Sequence, residues 1–228
     1  NFNALSASNS NSGAFTVTTS ATGVAGSHEV EVLHLAKAQR SASSGLASSS
    51  VTLNGGKAMS LTLSVGSANP VSSVIQLEAG KDKPIDLVNA INDAKTGVTA
   101  QLVNTGDKTM PYQIVLSGPV GAAGAFTVTP NYGTGSGSPG VNFANSNPAN
   151  QDAADAEVKI DGVSYVRASN TLNDVVPGLT LNLKALTTGV ATIDLTRDNT
   201  GVKSKIDALV TAYNDAVSIF KEVSDPKS

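Results

Sequence analysis

The stretch from residue 156 to 195 most constrains the fold of this chain, because its pattern is that of four consecutive β-strands. Val158 and Ile160 alternate with charged residues and lead into Asp161-Gly162, a pair typical of a two-residue hairpin turn. Pro177-Gly178 marks the next sharp turn, since proline fixes φ at the second turn position and glycine accepts a positive φ at the third. The stretch therefore predicts strand, hairpin, strand, turn, strand, loop and strand.

The last two of these strands each present a single apolar face, because their aliphatic residues alternate with polar ones. These aliphatic residues are Leu179, Leu181, Leu183, Ala191, Ile193 and Leu195. Strands with one apolar face are stable in water only when another layer covers that face. We therefore expect partner strands elsewhere in the chain, and the candidates lie far upstream.

Two upstream segments have the same alternation. Residues 14–20 and 28–38 predict two strands that could complete the layer. Residues 1–13 are polar, and residues 40–50 are rich in Ser, Ala and Gly without apolar periodicity. Both of these segments predict linkers.

Between the two sets of strands, the sequence has the pattern of a small α+β unit. A hairpin is predicted about Gly55-Gly56 within residues 51–65, and further strands are predicted at 74–77, 98–104, 113–117 and 126–129. Residues 131–150 are rich in Gly, Ser, Asn and Pro and predict a loose surface excursion.

Residues 84–95 predict the helix of this unit. Pro84 suits a first helical turn, and Ile85, Val88 and Ile91, with Leu87 beside them, form an apolar stripe. A glycine at position 97 favours termination of the helix just before it.

A second helix is predicted near the C-terminus, and its apolar residues form a heptad seam. These seam residues are Val202, Ile206, Leu209, Tyr213, Ala216, Phe220 and Val223. Their spacing alternates between four and three residues, which is typical of a coiled coil. The candidate site is therefore a helix-pairing interface, and packing of the helix against its own domain is the alternative.

Composition narrows the classes of partner. The formal net charge is −3 and no basic cluster occurs, whereas nucleic acid and anionic membranes are bound through clustered Lys and Arg. No apolar run approaches the ~20 residues that a membrane-spanning helix needs. We expect neither nucleic-acid binding nor membrane insertion.

Because the chain begins at Asn1 and not at Met, we also expect it to be part of a longer protein.

Glycine and histidine motifs give no support for a cofactor. Residues 135–140 match G-x-G-x-x-G, but Pro139 and Asn-rich coil occupy the place where a dinucleotide site needs a helix. His28 and His34, the only histidines, lie ~20 Å apart on one predicted strand and cannot share a metal ion. We expect no cofactor, and we expect both histidines to be solvated.

The acidic residues do not predict a metal site or catalysis. Asp152, Asp155 and Asp161 lack the spacing and terminal Glu of a calcium loop, so ordinary solvated carboxylates are expected. A β-rich extracellular hydrolase would need paired carboxylates across a cleft, and here the carboxylates are scattered. We therefore expect no enzyme activity.

A set of basic residues has two possible roles. They could contact acidic groups of a neighbouring subunit, or they could serve only to keep the protein soluble. This set comprises Lys37, Arg40, Lys203 and Lys205.

Three separated segments carry a resemblance to a known family. They are residues 29–40 (EVEVLHLAKAQR), 163–183 (VSYVRASNTLNDVVPGLTLNL) and 202–220 (VKSKIDALVTAYNDAVSIF). In this order they resemble segments of the bacterial flagellar filament cap proteins, the hook-associated protein 2 family. None of the three is a short catalytic or metal-binding motif of the kind that arises by convergence.

The resemblance implies a structural role at the tip of the flagellar filament. A protein of this family is a secreted, extracellular cap that holds exported flagellin and promotes its folding and insertion. Its implied partners are further copies of itself in a ring-shaped homo-oligomer, flagellin, and the hook-filament junction proteins. The resemblance also implies that the seam at residues 202–223 pairs with an N-terminal helix in a coiled-coil leg domain.

The resemblance also supports a specific domain organisation. We predict a mainly β protein with some α (α+β), in which a small α+β domain is inserted into a discontinuous β-rich domain. The predicted parts are the end of the leg domain with a linker (1–13), a β-rich body domain (14–48 and 152–198), an inserted outer domain (49–151) and the start of a C-terminal coiled-coil-type leg helix (199–228).

Adhesion is the alternative function. Flagellar tip domains are exposed, and the loop at residues 131–150 is long and rich in Ser, Asn and Gly. Such a loop could bind host glycans or mucin. A disordered spacer is the competing interpretation of the same composition.

Overall fold

The structure is a computed structural model that describes residues 5–20, 22–143 and 147–224, except for the side chains of residues 199, 200, 202, 223 and 224. The strands are β1 (Leu5–Asn9), β2 (Phe15–Thr19), β3 (Gly26–His34), β4 (Ala38–Ala42), β5 (Met59–Val65), β6 (Val71–Leu77), β7 (Thr99–Asn104), β8 (Tyr112–Val120), β9 (Phe126–Asn131), β10 (Ala156–Ile160), β11 (Val163–Arg167), β12 (Thr171–Leu172), β13 (Leu179–Leu183) and β14 (Ala191–Arg197). The helices are α1 (Pro84–Asp93) and α2 (Asn199–Ser224), and Ala122–Gly124 forms a 3-10 turn. This mainly β fold with a C-terminal helix confirms the predicted fold class.

The chain divides into two compact units that are both discontinuous in sequence. The first unit contains the residues up to Val32, Lys159–Tyr165 and the residues from Thr171 onward, and the second contains Leu33–Val158 and Val166–Asn170. Their boundaries fall inside β3, β10 and β11. Compact units need not coincide with domains that fold independently. The predicted body and inserted domains therefore stay a prediction.

Strands from the two ends of the chain share sheets, as the sequence predicts. In the sheet β12-β13-β2, Leu181 of β13 lies opposite Val17 of β2. In the sheet β1-β14-β3-β10-β11, Ile193 of β14 lies between Asn9 of β1 and His28 of β3. The expectation that the strands beyond residue 156 find partners upstream is confirmed.

The apolar faces predicted from alternation are the buried faces of the first unit. Its buried side chains include Phe15, Val30, Val32, Ile160, Leu172, Leu179, Leu181, Leu183, Ala191, Ile193 and Leu195. Removing a side chain of the size of Leu or Phe from water contributes roughly 1.5–3 kcal/mol. Burial of these alternating residues therefore sets the register of the strands, because a slip by one residue would turn each face outward.

The prediction that residues 1–13 form a linker is wrong for β1. Leu5 lies opposite Arg197 and Asn9 opposite Ile193, so β1 is an outer strand beside β14. Its side chains are only half-buried at alternate positions. The segment contains Ser and Asn where strands usually carry β-branched residues, so its own composition gave no strand signal.

The second unit consists of two three-stranded sheets, β4-β8-β7 and β6-β5-β9, together with α1. One cluster of buried side chains joins them. Its members are Leu46, Leu53, Met59, Leu61, Leu63, Ile75, Leu77, Leu87, Val88, Ile91, Val98, Ala100, Ile114, Leu116, Phe126 and Val141. The strands predicted at 74–77, 98–104, 113–117 and 126–129 are all present. Three of them are longer than predicted, and β7 begins one residue later than predicted.

The position of α1 is as predicted, but one member of its stripe is not. Pro84 occupies the first turn, and Asp86 there accepts a hydrogen bond from the Lys83 N–H at 3.2 Å. The buried residues are Pro84, Leu87, Val88 and Ile91. Ile85 is 45% exposed, so its place in the stripe is corrected. A 3.6-residue turn places residues 84, 87, 88 and 91 on one face and turns residue 85 away.

Two further predictions in the second unit are wrong because small residues or loops occupy buried positions. The predicted linker at 40–50 begins inside β4, which pairs with β8 and buries Ser41 and Ala42. The hairpin predicted within 51–65 has no first strand, since β5 pairs instead with β6 and β9. Leu53 and Asn54 are buried in the loop that replaces the first strand. Hydrophobic periodicity does not report burial of this kind.

The loop after β9 is anchored in its first half, contrary to the predicted loose excursion over 131–150. The Tyr132 hydroxyl accepts the Val141 N–H at 2.7 Å and donates to the Val141 carbonyl at 3.0 Å. Gly137 and Gly140 donate their N–H groups to the Asn54 Oδ1 and the Leu53 carbonyl, both at 3.0 Å. Burial of Val141 and these long-range hydrogen bonds hold the segment on the unit. Residues 144–146 of the predicted excursion lie outside the described residues.

A matched pair of glycine substitutions separates close packing from backbone strain in the first unit. Gly178 has φ +77°, and a Cβ atom there would collide with the backbone of Thr22 and Gly23. Gly162 has φ +81°, and a Cβ atom there would meet open space. We expect Gly162→Ala to lower the free energy of unfolding by about 1 kcal/mol. Gly178→Ala adds overpacking and should cost at least about 2 kcal/mol more. Urea unfolding checks this, and equal losses would contradict the packing of the Pro177-Gly178 turn.

Candidate assembly surface

Helix α2 is the element that carries the predicted site. It begins after β14, where the Asp198 carboxylate accepts the Gly201 N–H at 2.9 Å and so satisfies a free amide of the first turn. Lys203 and Asp207, four residues apart, form an ion pair of 2.7 Å on its surface. Its 26 residues give a rod of ~39 Å. The helix is therefore long enough to present the whole heptad seam.

The seam side chains that the structure describes are exposed to solvent. Ile206, Leu209, Tyr213 and Phe220 are 48% to 74% exposed, and Ala216 is exposed as well. The side chains of the remaining two seam residues, Val202 and Val223, lie outside the described residues. Among the described seam residues, none is buried by the chain itself. Pairing of the seam with another helix stays a prediction, and this exposure is the observation that motivates it.

The apolar stripe of α2 is wider beyond residue 209 than the heptad count indicates. Val210 and Ile219 flank the seam there and are also more than half exposed. Before residue 209, Lys203 and Lys205 hold the corresponding flanking positions. Flanking apolar residues broaden the surface that a partner helix must cover, whereas flanking charges limit it to a narrow seam. Val210 follows the seam residue Leu209 and Ile219 precedes the seam residue Phe220, so the sequence already contains the signal for this wider stripe.

Both histidines lie beside carboxylates. His34 is exposed to solvent, as expected, whereas the side chain of His28 is only 24% exposed. The Nδ1 atom of His28 lies 2.7 Å from the Oδ2 atom of Asp161, and Asp161 Oδ1 accepts the Glu29 N–H at 2.9 Å. The hydrogen bond from His28, followed by that from Glu29, lowers the pKa of Asp161 below its usual value. His34 Nδ1 lies 3.2 Å from a Glu157 carboxylate oxygen at the surface. The imidazoles therefore fasten β3 to the residues of the neighbouring hairpin.

The lowered pKa of Asp161 predicts a pH effect on stability. A carboxyl group with a lower pKa in the folded state stabilises the fold above its unfolded pKa of ~3.9, and this contribution disappears as the pH falls through the folded value. We expect Asp161→Asn to flatten the fall in unfolding free energy below about pH 4.5, by at most about 1 kcal/mol because the pair is partly exposed. Urea unfolding from pH 6 to 2.5 measures it. Asp194→Asn, which changes an exposed carboxylate on β14, is the control. If Asp161→Asn and Asp194→Asn have the same dependence of unfolding free energy on pH, the pair has no such role.

The other candidate residues do not assemble into a reactive site. Asp155 accepts the Ala122 N–H at 2.6 Å and is thus a structural acceptor. Within the described residues, no group of three His, Asp or Glu side chains is close enough to hold a metal ion. Neither described helix combines the length and apolarity needed to cross a bilayer. The exposed face of α2 therefore stays the candidate assembly surface.

Family models match successive parts of the chain. Residues 1–39 match the N-terminus of flagellar hook-associated protein 2, and residues 153–228 match its C-terminus. Residues 60–118, between them, match the flagellin hook IN motif. Two regions of one family thus occur in their proper order on either side of the motif. The chain belongs to the flagellar hook-associated protein 2 family.

Members of the hook-associated protein 2 family from several bacteria are similar to the chain. The A-type flagellar hook-associated protein 2 of Pseudomonas aeruginosa is 29% identical over an alignment of 250 positions, which covers 98% of this chain and 49% of that protein. Flagellar hook-associated protein 2 of Salmonella typhimurium is 30% identical over 154 residues, which are 66% of this chain and 32% of that protein. The chain therefore spans about a third to a half of the length of these relatives.

Solved structures of the hook-associated protein 2 family share the fold. The D1-D2-D3 domains of the flagellar cap protein FliD from Escherichia coli match with a TM-score of 0.73 and 26% identity, covering 98% of this chain and 66% of that one. FliD (HAP2) from Pseudomonas aeruginosa PAO1 matches with a TM-score of 0.71 and 25% identity, covering 93% and 97%. The predicted family resemblance is confirmed. These relatives lend no support to the glycan-binding alternative.

Proposed function

We propose that this chain forms the outer body and part of the leg of a flagellar filament cap. The protein would act outside the cell, at the tip of the filament, where it holds exported flagellin and promotes its folding and insertion. The observation that carries the proposal is the order of the family matches, together with the fold shared with proteins named flagellar cap protein. The role is steric and conformational and needs no covalent catalysis.

The exposed seam of α2 supports an assembly role for the helix. We propose that residues Ile206, Leu209, Tyr213 and Phe220 pack against a helix from the N-terminal part of the longer protein, with Val202, Ala216 and Val223 completing the seam. Pairing two such seams buries apolar side chains that the chain by itself leaves in water. The resulting leg would carry the body units at the growing end.

The proposed partners follow from the geometry of a cap. Several copies would surround the filament axis as a ring-shaped homo-oligomer, in which one surface of each subunit meets a different surface of the next. Flagellin and the hook-filament junction proteins are the other proposed partners. Contacts with host glycans or mucin are not part of the proposal.

Deletion and complementation in the parent bacterium test this function. We expect cells without the gene to export flagellin into the medium as soluble subunits and to carry few or short filaments, because no lid retains the subunits at the tip. The wild-type gene should restore filament length, and an antibody to the chain should label filament tips in electron micrographs. Filaments of normal length and number in the deletion strain would refute the cap role.

A further inference from the structure

The outer edge of β9 in the second unit is closed at one end by a glutamine side chain. The Phe126 N–H donates to Gln39 Oε1 at 2.8 Å, and Gln39 Nε2 donates to the Phe126 carbonyl at 2.8 Å. β9 is the outer strand of the sheet β6-β5-β9 in the described residues. The Gln39 amide thus takes the place that one residue of an adjacent strand would take.

The backbone groups of Val128, the next outward-facing residue of β9, point to the same side as those of Phe126. In an antiparallel pair, residues that exchange both hydrogen bonds with the opposite strand alternate with residues that exchange none. Phe126, opposite Val65, directs its N–H and carbonyl to Gln39 and away from β5. Val128, two residues on and opposite Leu63, must direct its N–H and carbonyl to the same outer side. Pro130 then ends the edge, because proline has no N–H to offer.

A cavity of ≈ 560 Å³ lies along this edge. Its lining includes Phe126, Val128 and Phe143 as apolar walls, with Gln39 and Ser41 as polar ones. Ser41 is 4% exposed, and the hydrogen bond found for its Oγ among the described residues is a long one of 3.4 Å from the Gln39 amide, in which Oγ is the acceptor. The Ser41 hydroxyl hydrogen therefore remains available to an occupant of the cavity.

Asp152 is the charged residue among the described residues of the lining. The other lining residues are uncharged, and residues 109–151 contain no charged side chain at all. The Asp152 side chain is exposed, so its negative charge acts on the mouth of the cavity without compensation from the other lining residues. An occupant with a basic side chain at this end would be favoured over one with an acidic side chain.

We propose that this groove, defined by Gln39, Ser41, Phe126, Val128, Phe143 and Asp152, binds an extended segment of another polypeptide by adding a short strand to β9. The segment exchanges backbone hydrogen bonds with Val128, places a small or aliphatic side chain against the two phenylalanines, and directs a Lys or Arg to Asp152. Main-chain pairing supplies affinity in this mode of recognition, and the side-chain pockets supply selectivity.

Backbone chemistry favours an unfolded polypeptide as the occupant. The donor and acceptor of Val128 are spaced for a strand. In the part of the chain that the structure describes, no strand pairs with β9 between Gln39 and Pro130, and this length accommodates only two or three residues of a partner. A segment that has not yet folded offers free backbone groups at no cost in existing structure. This choice of source rests on the proposed function, since a filament cap receives exported chains before they fold.

Binding of short peptides to the whole chain tests the groove. The probe is an acetylated, amidated heptapeptide of alternating Thr and Val with one central Lys, and the Val128 amide resonance in NMR titrations is the readout. We expect saturable binding that shifts this resonance. A peptide with N-methylated backbone amides should bind at least tenfold more weakly, and so should a peptide with Glu in place of Lys.

Two variants connect binding to the edge and to the charge. Val128→Pro removes the outward N–H, which an edge strand tolerates, and should abolish binding without unfolding the unit. Asp152→Lys should reverse the charge preference of the groove, so that the Glu peptide binds more tightly than the Lys peptide. This second variant also tests the groove if Val128→Pro fails to fold. Unchanged binding after N-methylation, equal binding of the two charged peptides, or no binding at millimolar peptide would each overturn the proposal.

Self-association is the remaining outcome. If the chain forms dimers in the absence of peptide and Val128→Pro abolishes them, the occupant is a second copy and the proposal is wrong. Comparison of peptide binding with filament growth separates this proposal from the cap role. Peptide binding in the wild-type chain together with normal filaments in the deletion strain would refute the cap role and leave the groove intact.

Discussion

Replacing Leu209 by Glu should abolish pairing of α2 with its partner helix in the longer protein. Leu209 is 69% exposed in this chain, so the change should leave the unfolding of both units unaltered. In the paired state the leucine would be buried, and removing it while introducing a charge should cost at least about 3 kcal/mol. Pairing and ring assembly should therefore weaken at least about 100-fold, since each 1.4 kcal/mol is a factor of ten.

Sedimentation velocity of the longer protein measures this effect, and filament length in complemented cells gives its consequence. Ala208→Glu is the matched control, because it places the same side chain on an exposed residue one position off the seam. It should leave assembly unchanged. Assembly that survives Leu209→Glu, or that Ala208→Glu disrupts equally, would contradict the assignment of the seam.

Replacing Asp82 by Ala should produce a large loss of stability in the second unit. Asp82 is completely buried, and its Oδ2 atom accepts the N–H groups of Asn54 and Gly56, both at 2.8 Å. The substitution leaves two amides without an acceptor, one of them fully buried, at a cost of about 1–3 kcal/mol each. We expect the free energy of unfolding to fall by about 3 kcal/mol, and the loop at Asn54–Lys57 to lose protection from hydrogen exchange.

Two variants distinguish the lost acceptor from the lost charge. Asp82→Asn keeps an oxygen that can accept both N–H groups, so it should retain more of the stability than Asp82→Ala. Asp93→Ala removes an exposed carboxylate from α1 and should change the free energy of unfolding by less than about 0.5 kcal/mol. Equal losses for Asp82→Ala and Asp93→Ala, measured by urea unfolding, would show that the buried acceptor contributes nothing.

Asp82 also illustrates what sequence patterns fail to predict. A lone aspartate between two lysines resembles a solvated turn residue, and its role depends on a loop 28 residues away. The same is true of Gln39, whose amide meets Phe126 from a separation of 87 residues. No local pattern records such contacts, because their partners come together only in the folded chain.

Alternation and turn chemistry, by contrast, determined much of this protein from the sequence alone. The apolar faces of β13 and β14, the hairpin at Asp161-Gly162, helix α1 and the heptad seam of α2 are all local patterns with a period of two or of about 3.5. Each follows from the need to bury one face of a regular element. The family resemblance also depends on these segments.

Only the tertiary structure decided which polar segments become strands. β1 and β4 contain Ser, Asn, Gln and Arg, and each exists because a neighbouring strand, β14 or β8, satisfies its backbone groups. Backbone hydrogen bonds to a distant strand are independent of side-chain hydrophobicity, so no periodicity announces them. For the same reason the open edge beside Val128 could be recognised only once the register of β5 and β9 was known.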